Sequence, residues 1–509
     1  MLDSDKLLAR QMQNPFRHRQ NASVALITLT VMLGTIMAII DSTIVNVALD
    51  NIAGNLGASI DEVSWVATGY ILASVITMPL NGWLTAYFGR KRFYAGCLTI
   101  FTVASFMCGT AHSIWQLTFY RIIQGFGGGA LQPTAQAILF EIYAPEKRGN
   151  AMAIFGLGAM VGPAIGPTLG GYLVDNASWP LIFFINIPIG IAAILMTLAF
   201  IPNPTFHQKP KGAIDWFGLS LLSAGLASLQ YVLERGQHDD WWSSHTITTL
   251  ACVAVIALTW FVVKALRDKH PLVDLSVFRF RTFTFANIIG VITGFGLFGT
   301  ALVMPLFFQT IMGLTAFDTG LALLPGAIAT AIAMPIVGRL VNMIDGRILV
   351  GTGMLLFALS TWLLGGLDQN AGYWNIFWPR VIQGFGLGFL FVPLSTVMLA
   401  AVPREALAGA TGVATLLRQI GGSFGIAILT TLLTRRAATA WNDLAGGVTQ
   451  THGYSIATLT GLVAQASAVI SYDYVFRLCA IVFLAALPIV FFMRPSRRRG
   501  GAPIPVLAD

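Results

Sequence analysis

The apolar run from Ala22 to Leu49 contains a single charged residue, Asp41. Desolvation favours the neutral form of such a carboxylate, and a neighbouring cation favours the ionised form. A group held between those two influences can take up and release a proton near working pH. Arg121 is the cation best placed to tune it, since arginine is effectively never deprotonated and cannot itself carry the proton. Arg121, Gln124, Gly125 and Gly128 fall at i, i+3, i+4 and i+7, which is one helix face. Asp41 lies late in the first apolar segment and Arg121 early in the fourth. In antiparallel helices that places them at similar depth. Two readings stay open for each residue. Asp41 is a proton carrier, or an exposed or structurally paired residue near its helix end. Arg121 tunes Asp41, or fixes packing by bonding backbone carbonyls.

Gly158, Gly162, Gly166 and Gly170 repeat every fourth residue, a spacing that clears a groove along one helix for close approach. Pro163 and Pro167 in the same stretch remove two intrahelical hydrogen bonds and favour a bend, which suits a gating element. Arg380 and Arg418 also fall inside apolar segments, so one clear acid, Asp41, faces three arginines. That balance favours neutral or weakly acidic hydrophobic ligands over lipophilic cations.

The elements that carry these residues are membrane helices. Of 509 residues, 56% are hydrophobic and 10% charged, and the mean hydropathy is +0.74. A soluble chain carries about 25% charged residues, and only helices satisfy the backbone in long lipid-facing runs. Fourteen apolar segments stand out: six within 22–201, two within 215–267 and six within 284–493. Arg121-Ile-Ile-Gln-Gly-Phe-Gly127 recurs as Arg380-Val-Ile-Gln-Gly-Phe-Gly386, an offset of 259 residues (380 − 121). Six spans need roughly 200 residues, so this duplication leaves room for two inserted helices. The expected organisation is a cytoplasmic segment 1–21, a six-helix bundle 22–201, a linker 202–283 with two extra helices, a second bundle 284–493 with an external loop 434–472, and a cytoplasmic tail 494–509. Within that loop, 454–470 can form a short helix.

The net charge of +8 has a membrane explanation rather than a nucleic-acid one. Of the 30 lysines and arginines, 23 gather in alternate loops and at both termini, 3 (Arg235, Arg435, Arg436) fall on the other side, and 4 lie inside predicted helices. The positive-inside rule then places both termini in the cytoplasm. The first apolar run is too long for a cleavable leader. Cys97, Cys108, Cys252 and Cys479 sit in apolar segments without metal or redox spacing.

Six stretches resemble one family in the right order. Ala38–Leu49 around Asp41 is similar to the first-helix signature of the fourteen-helix drug:proton antiporters, the EmrB/QacA branch of the major facilitator superfamily. Gly82-Trp83-Leu84 with Gly89-Arg90-Lys91-Arg92 resembles the superfamily's cytoplasmic loop signature. Leu117–Ala130, Gly158–Gly171 and Phe183–Gly190 resemble the fourth-helix, fifth-helix antiporter and sixth-helix patterns, and Leu417–Ser423 a pattern near the fifth helix of the second repeat. The loop departs at Ala86, where the family has an acid; Glu141 could substitute by facing Arg90.

The resemblance implies an all-α major facilitator fold with 14 transmembrane helices arranged 6+2+6, closest to EmrB-type multidrug exporters. It implies a non-enzymatic, proton-coupled antiporter in the inner membrane that exports small hydrophobic drugs without a cofactor other than the proton gradient. A periplasmic membrane-fusion adaptor and an outer-membrane channel are implied partners, as is the lipid bilayer; nucleic acid is not. Asp41 and Arg121 would couple protons, and Asn46, Gln124, Arg418 and Gln419 are candidates to line the substrate cavity. Export of one metabolite or siderophore is the alternative, and a non-transporting receptor or enzyme scaffold the alternative of another class. No Walker loop G-x-x-x-x-G-K-[ST] is present, which argues against ATP as the energy source.

Overall fold

The computed structural model describes residues 17–202, 215–268, 271–369, 371–447 and 455–493. Fifteen α-helices carry the chain: α1 (Arg17–Leu56), α2 (Ile60–Phe88), α3 (Arg90–Gly109), α4 (Ile114–Ile142), α5 (Arg148–Asn176), α6 (Leu181–Phe184), α7 (Asn186–Phe200), α8 (Trp216–Arg235), α9 (His245–Arg267), α10 (Arg281–Thr310), α11 (Ala316–Leu340), α12 (Gly346–Leu364), α13 (Tyr373–Ala400), α14 (Leu407–Gly447) and α15 (Ile456–Ala486). There is no strand among the described residues. Among the described residues twelve helical stretches are long and apolar enough to cross a membrane. α4 and α5 have the length, 29 residues each, but are not among those twelve.

Helix starts follow local chemistry. Ser59 forms a capping box with Glu62 at α2, and Ser113, Asp215, Ser244, Thr315, Asp345 and Ser455 each accept a hydrogen bond from a first-turn amide. These caps satisfy donors that the helix itself cannot.

Leu181–Phe200 makes one candidate span, as expected, with a single turn residue, Ile185, between α6 and α7; Pro188 lacks the N–H that would bond the Phe184 carbonyl. One expectation fails: the segment 434–472 is not a long loop. α14 continues to Gly447 and α15 starts at Ile456, so most of the expected loop extends two membrane helices; 448–454 lie outside the described residues. The inserted pair α8 and α9 packs together, and α8 also contacts both α2 and α14. Gln230 Nε2 donates to Ser423 Oγ at 2.8 Å, Trp241 Nε1 to Thr431 Oγ1 at 3.0 Å, and Arg235 Nη1 to Ser64 Oγ at 2.9 Å. The insert therefore ties the two halves of the chain along one flank.

The halves meet closely where the basic loops gather. Asn81 Nδ2 donates to the Ala408 carbonyl at 2.8 Å, and Thr134 Oγ1 donates to Asn81 Oδ1 at 2.6 Å. A Cβ at Gly82 would lie 2.7 Å from Gly409 Cα, and one at Gly149 2.4 Å from the Gly338 carbonyl. Helix backbones thus touch directly, and this end of the molecule is closed.

Candidate functional site

Small residues set the spacing around Asp41. On α5, Gly162 and Gly166 lie against Ile39 and Thr43 of α1, where added Cβ atoms would come within 2.1 Å of side-chain atoms of both. Gly158 and Gly170 meet Met32 and Ile44 in the same way. Thr43 Oγ1 donates to the Gly162 carbonyl at 3.2 Å. The helix runs unbroken through Pro163 and Pro167. On α4, Gly125 and Gly128 lie against the Tyr70 carbonyl and hydroxyl of α2, with room for no side chain. The glycine face thus receives α2, and the adjoining Arg121 and Gln124 turn toward α1.

Asp41 is completely buried and accepts three hydrogen bonds. Arg121 Nη1 donates to Oδ2 at 2.6 Å, Gln124 Nε2 to Oδ1 at 2.9 Å and Asn186 Nδ2 to Oδ1 at 2.7 Å. Arg121 is itself 1% exposed. It also donates from Nη1 to Gln124 Oε1 at 2.7 Å and from Nε to the Val66 carbonyl at 3.2 Å. Its guanidinium lies 4.3 Å from the Tyr70 ring centroid and 5.7 Å from that of Phe183. Asn186 is held in turn by Ser105, whose Oγ donates to the Phe183 carbonyl at 2.9 Å.

One carboxylate thus gathers helices α1, α4 and α7, with α2 supplying a carbonyl and a ring to the arginine. Asp41 is not an exposed residue near its helix end. A buried pair of this kind is costly to break on one side only, by about 3–5 kcal/mol. Arg121→Gln is therefore expected to lower stability by about that amount, and the double variant with Asp41→Asn to recover much of it. Apparent unfolding temperatures of the four proteins in one detergent measure this. Equal losses that simply add would show the pair to be uncoupled.

The remaining candidates separate. Gln124 belongs to the Asp41 cluster. Arg418 lines a cavity between the halves with Gln136, Asn287, Thr293, Phe391 and Ser395, its guanidinium 5.2 Å from the Phe391 ring centroid. Gln419 is half-buried and does not line that cavity. Asn46 is exposed and does not line that cavity. At the basic end Gly89 adopts φ 82°, a conformation side chains rarely tolerate, and separates α2 from α3. Arg90 forms an ion pair with Glu141 across α3 and α4; Lys91 follows in the same turn.

Sequence reasoning gave no role to Asn186, Tyr70 or Ser105, although Asn186 stands in one of the recognised patterns. It also undercounted acids. Glu234, at the end of α8, has a buried carboxylate oxygen without a hydrogen-bond partner.

The Major Facilitator Superfamily model matches residues 31–426 and 288–505. The multidrug export protein EmrB of Escherichia coli K12 is 36% identical over 515 residues, covering 96% of this chain and 99% of the relative. The fatty acid resistance protein FarB of Neisseria gonorrhoeae is 33% identical over 95% of this chain and 98% of its own length. Among solved structures, the human organic anion transporter MFSD10 superposes with a TM-score of 0.63 at 13% identity, covering 92% of this chain and 99% of that one. The proton:xylose symporter XylE superposes with a TM-score of 0.60, also at 13% identity, covering 94% and 97%. A helical membrane architecture, a full-length family match and relatives of matching length leave one assignment: the chain belongs to the Major Facilitator Superfamily and, within it, to the group of EmrB-type multidrug export proteins.

Proposed function

We propose that this protein exports small hydrophobic molecules across the inner membrane in exchange for protons. The observation that carries the coupling is the fully buried Asp41, whose charge is matched by Arg121 and whose oxygens hold helices α1, α4 and α7 together. Protonation of Asp41 removes the anion that compensates Arg121. The guanidinium then keeps Gln124, the Val66 carbonyl and its two rings, but the tie from α4 to α1 weakens. Proton binding thereby becomes a change in helix packing, and the two halves, 22–201 and 284–493, rock about the cavity that contains Arg418.

In this reading fourteen helices follow a six-plus-two-plus-six order and both termini are cytoplasmic, so the closed basic end faces the cytoplasm. A closed cytoplasmic end belongs to the stage of the cycle in which substrate leaves and a proton enters. Each elementary charge moved inward contributes about 2.3 kcal/mol per 100 mV, and no other cofactor is required. Several relatives are named for multidrug export, fatty acid resistance or colistin resistance, which supports a hydrophobic or amphipathic cargo. A periplasmic adaptor and an outer-membrane channel complete the route where the cell has two membranes. The test is proton movement in proteoliposomes as hydrophobic cations, neutral compounds and weak acids are added in turn. Substrate-dependent dissipation of an imposed pH gradient is expected; none with any compound would overturn antiport.

A further inference from the structure

The repeat that duplicates Arg121 also duplicates its surroundings, with two replacements. The 259-residue offset carries Asp41 to Thr300, Arg121 to Arg380 and Gln124 to Gln383. The geometry follows the sequence. Gln124 Nε2 donates to Asp41 at 2.9 Å, and Gln383 Nε2 lies 3.4 Å from Thr300 Oγ1. Arg121 donates to Gln124 Oε1, and Arg380 donates to Gln383 Oε1. The neighbouring helix repeats with an offset of 256. Ser74 Oγ donates to the Gly125 carbonyl at 3.3 Å, and Thr330 Oγ1 to the Gly384 carbonyl at 3.1 Å. By that offset Tyr70, the ring beneath Arg121, corresponds to Gly326.

The second copy therefore keeps the cation and its glutamine while losing the carboxylate and the aromatic platform. A Cβ at Gly326 would lie 2.8 Å from Arg380 Nη2, so the guanidinium packs directly on the glycine where Tyr70 places a ring beneath Arg121. Arg380 donates to the Leu323 carbonyl at 3.1 Å and meets Met304 Sδ at 3.4 Å, and its Nε has no hydrogen-bond partner. Among the described residues no acid forms an ion pair with it, in contrast to Arg121. A desolvated cation without a counter-charge costs several kcal/mol. In the first half the protein supplies that counter-charge; in the second half it supplies a hydroxyl.

We propose that the anion missing from the second half is provided by cargo: Arg380, with Gln383 and Thr300, receives the carboxylate or phenolate of an amphipathic substrate. Guanidinium suits this role because its planar donors pair with a carboxylate, and Thr300, whose hydroxyl donates to the Gly296 carbonyl at 2.6 Å, places no negative charge there where Asp41 would repel. Met304 and the surrounding apolar helices take the hydrophobic part. The two halves then hold complementary anions, a permanent one in the first and a transported one in the second. This inference rests on the export reading and names the chemical class of its cargo.

The test is binding of 1-pyrenebutyrate and its methyl ester to the purified full-length protein in detergent, followed by tryptophan-to-pyrene energy transfer. The wild type is expected to prefer the acid by about tenfold or more, the worth of a charge-assisted hydrogen bond. Thr300→Asp reinstates the internal carboxylate, and Arg380→Gln removes the cation. Each is expected to bring the preference to about one, whereas Arg380→Lys retains part of it. Equal binding of acid and ester by the wild type overturns this assignment and leaves the export reading standing. So does an acid preference that survives Thr300→Asp, or displacement of the acid by millimolar chloride, which would make the site one for inorganic anions. Binding of neither probe would overturn both readings.

Discussion

Asp41→Asn is expected to abolish uphill export while the protein, less stable with Arg121 unpaired, still inserts, folds and binds substrate. Asparagine has nearly the shape of the protonated acid, so it occupies the pocket between Arg121, Gln124 and Asn186 without steric change. It cannot ionise, and the alternation between a compensated and an uncompensated Arg121 stops. In proteoliposomes with an imposed pH gradient, concentrative uptake should fall to the level of protein-free vesicles. Exchange of labelled for unlabelled substrate across the membrane should persist, because it needs no net proton transfer. That split separates a coupling defect from a folding defect. Wild-type accumulation by Asp41→Asn would remove Asp41 from the mechanism and leave the buried pair as a structural tie.

The same residue shows why part of the site is legible in sequence. A charge inside a membrane run is so costly that its presence asks for a function. Asp41 and Arg121 stand out on that ground, and their positions along antiparallel helices bring them to one depth. The glycine ladder is legible for a similar reason, since four small residues at fixed spacing select a groove, and α1 occupies it.

Asn186, Tyr70 and Ser105 carry no such signal. Polar but uncharged residues are common in membrane helices, and only the third dimension turns them toward Asp41. The boundary error has an equally specific cause. Gly, Ala, Thr and Ser within 434–472 suggest a loop, yet these residue types are also compatible with helix, and the described residues fold as the ends of α14 and α15. Glu234 sits at a segment edge, where sequence cannot tell a solvated carboxylate from one with a buried oxygen. The difference between Arg121 and Arg380 shows the limit most directly. Their flanking sequences are nearly identical, and what distinguishes them lies elsewhere in the chain, Asp41 against Thr300, 80 residues upstream in each copy, and Tyr70 against Gly326.

Gly82→Leu is expected to stop transport for a different reason, by holding the basic end open. At Gly82 the nearest atoms to an added Cβ are Gly409 Cα at 2.7 Å and its amide nitrogen at 2.9 Å. Both belong to the backbone of α14, so no rotamer change can relieve the clash, and the helices must part. Overpacking of this kind costs about 2 kcal/mol, roughly a thirtyfold shift in population away from the closed form. Spin labels at the exposed positions Glu146 and Met343, one in each half at the basic end, report that separation. The distance between them should lengthen in Gly82→Leu, and export should fall to background. Gly96→Leu is the matched control, because nothing lies within 4 Å of its added Cβ, and it should change neither reading. Lengthening with intact export would mean that closure at Gly82 and Gly409 is not a step of the cycle. Lengthening with lost export would place the barrier between compartments at a contact between two backbones, where one glycine decides whether the path is sealed.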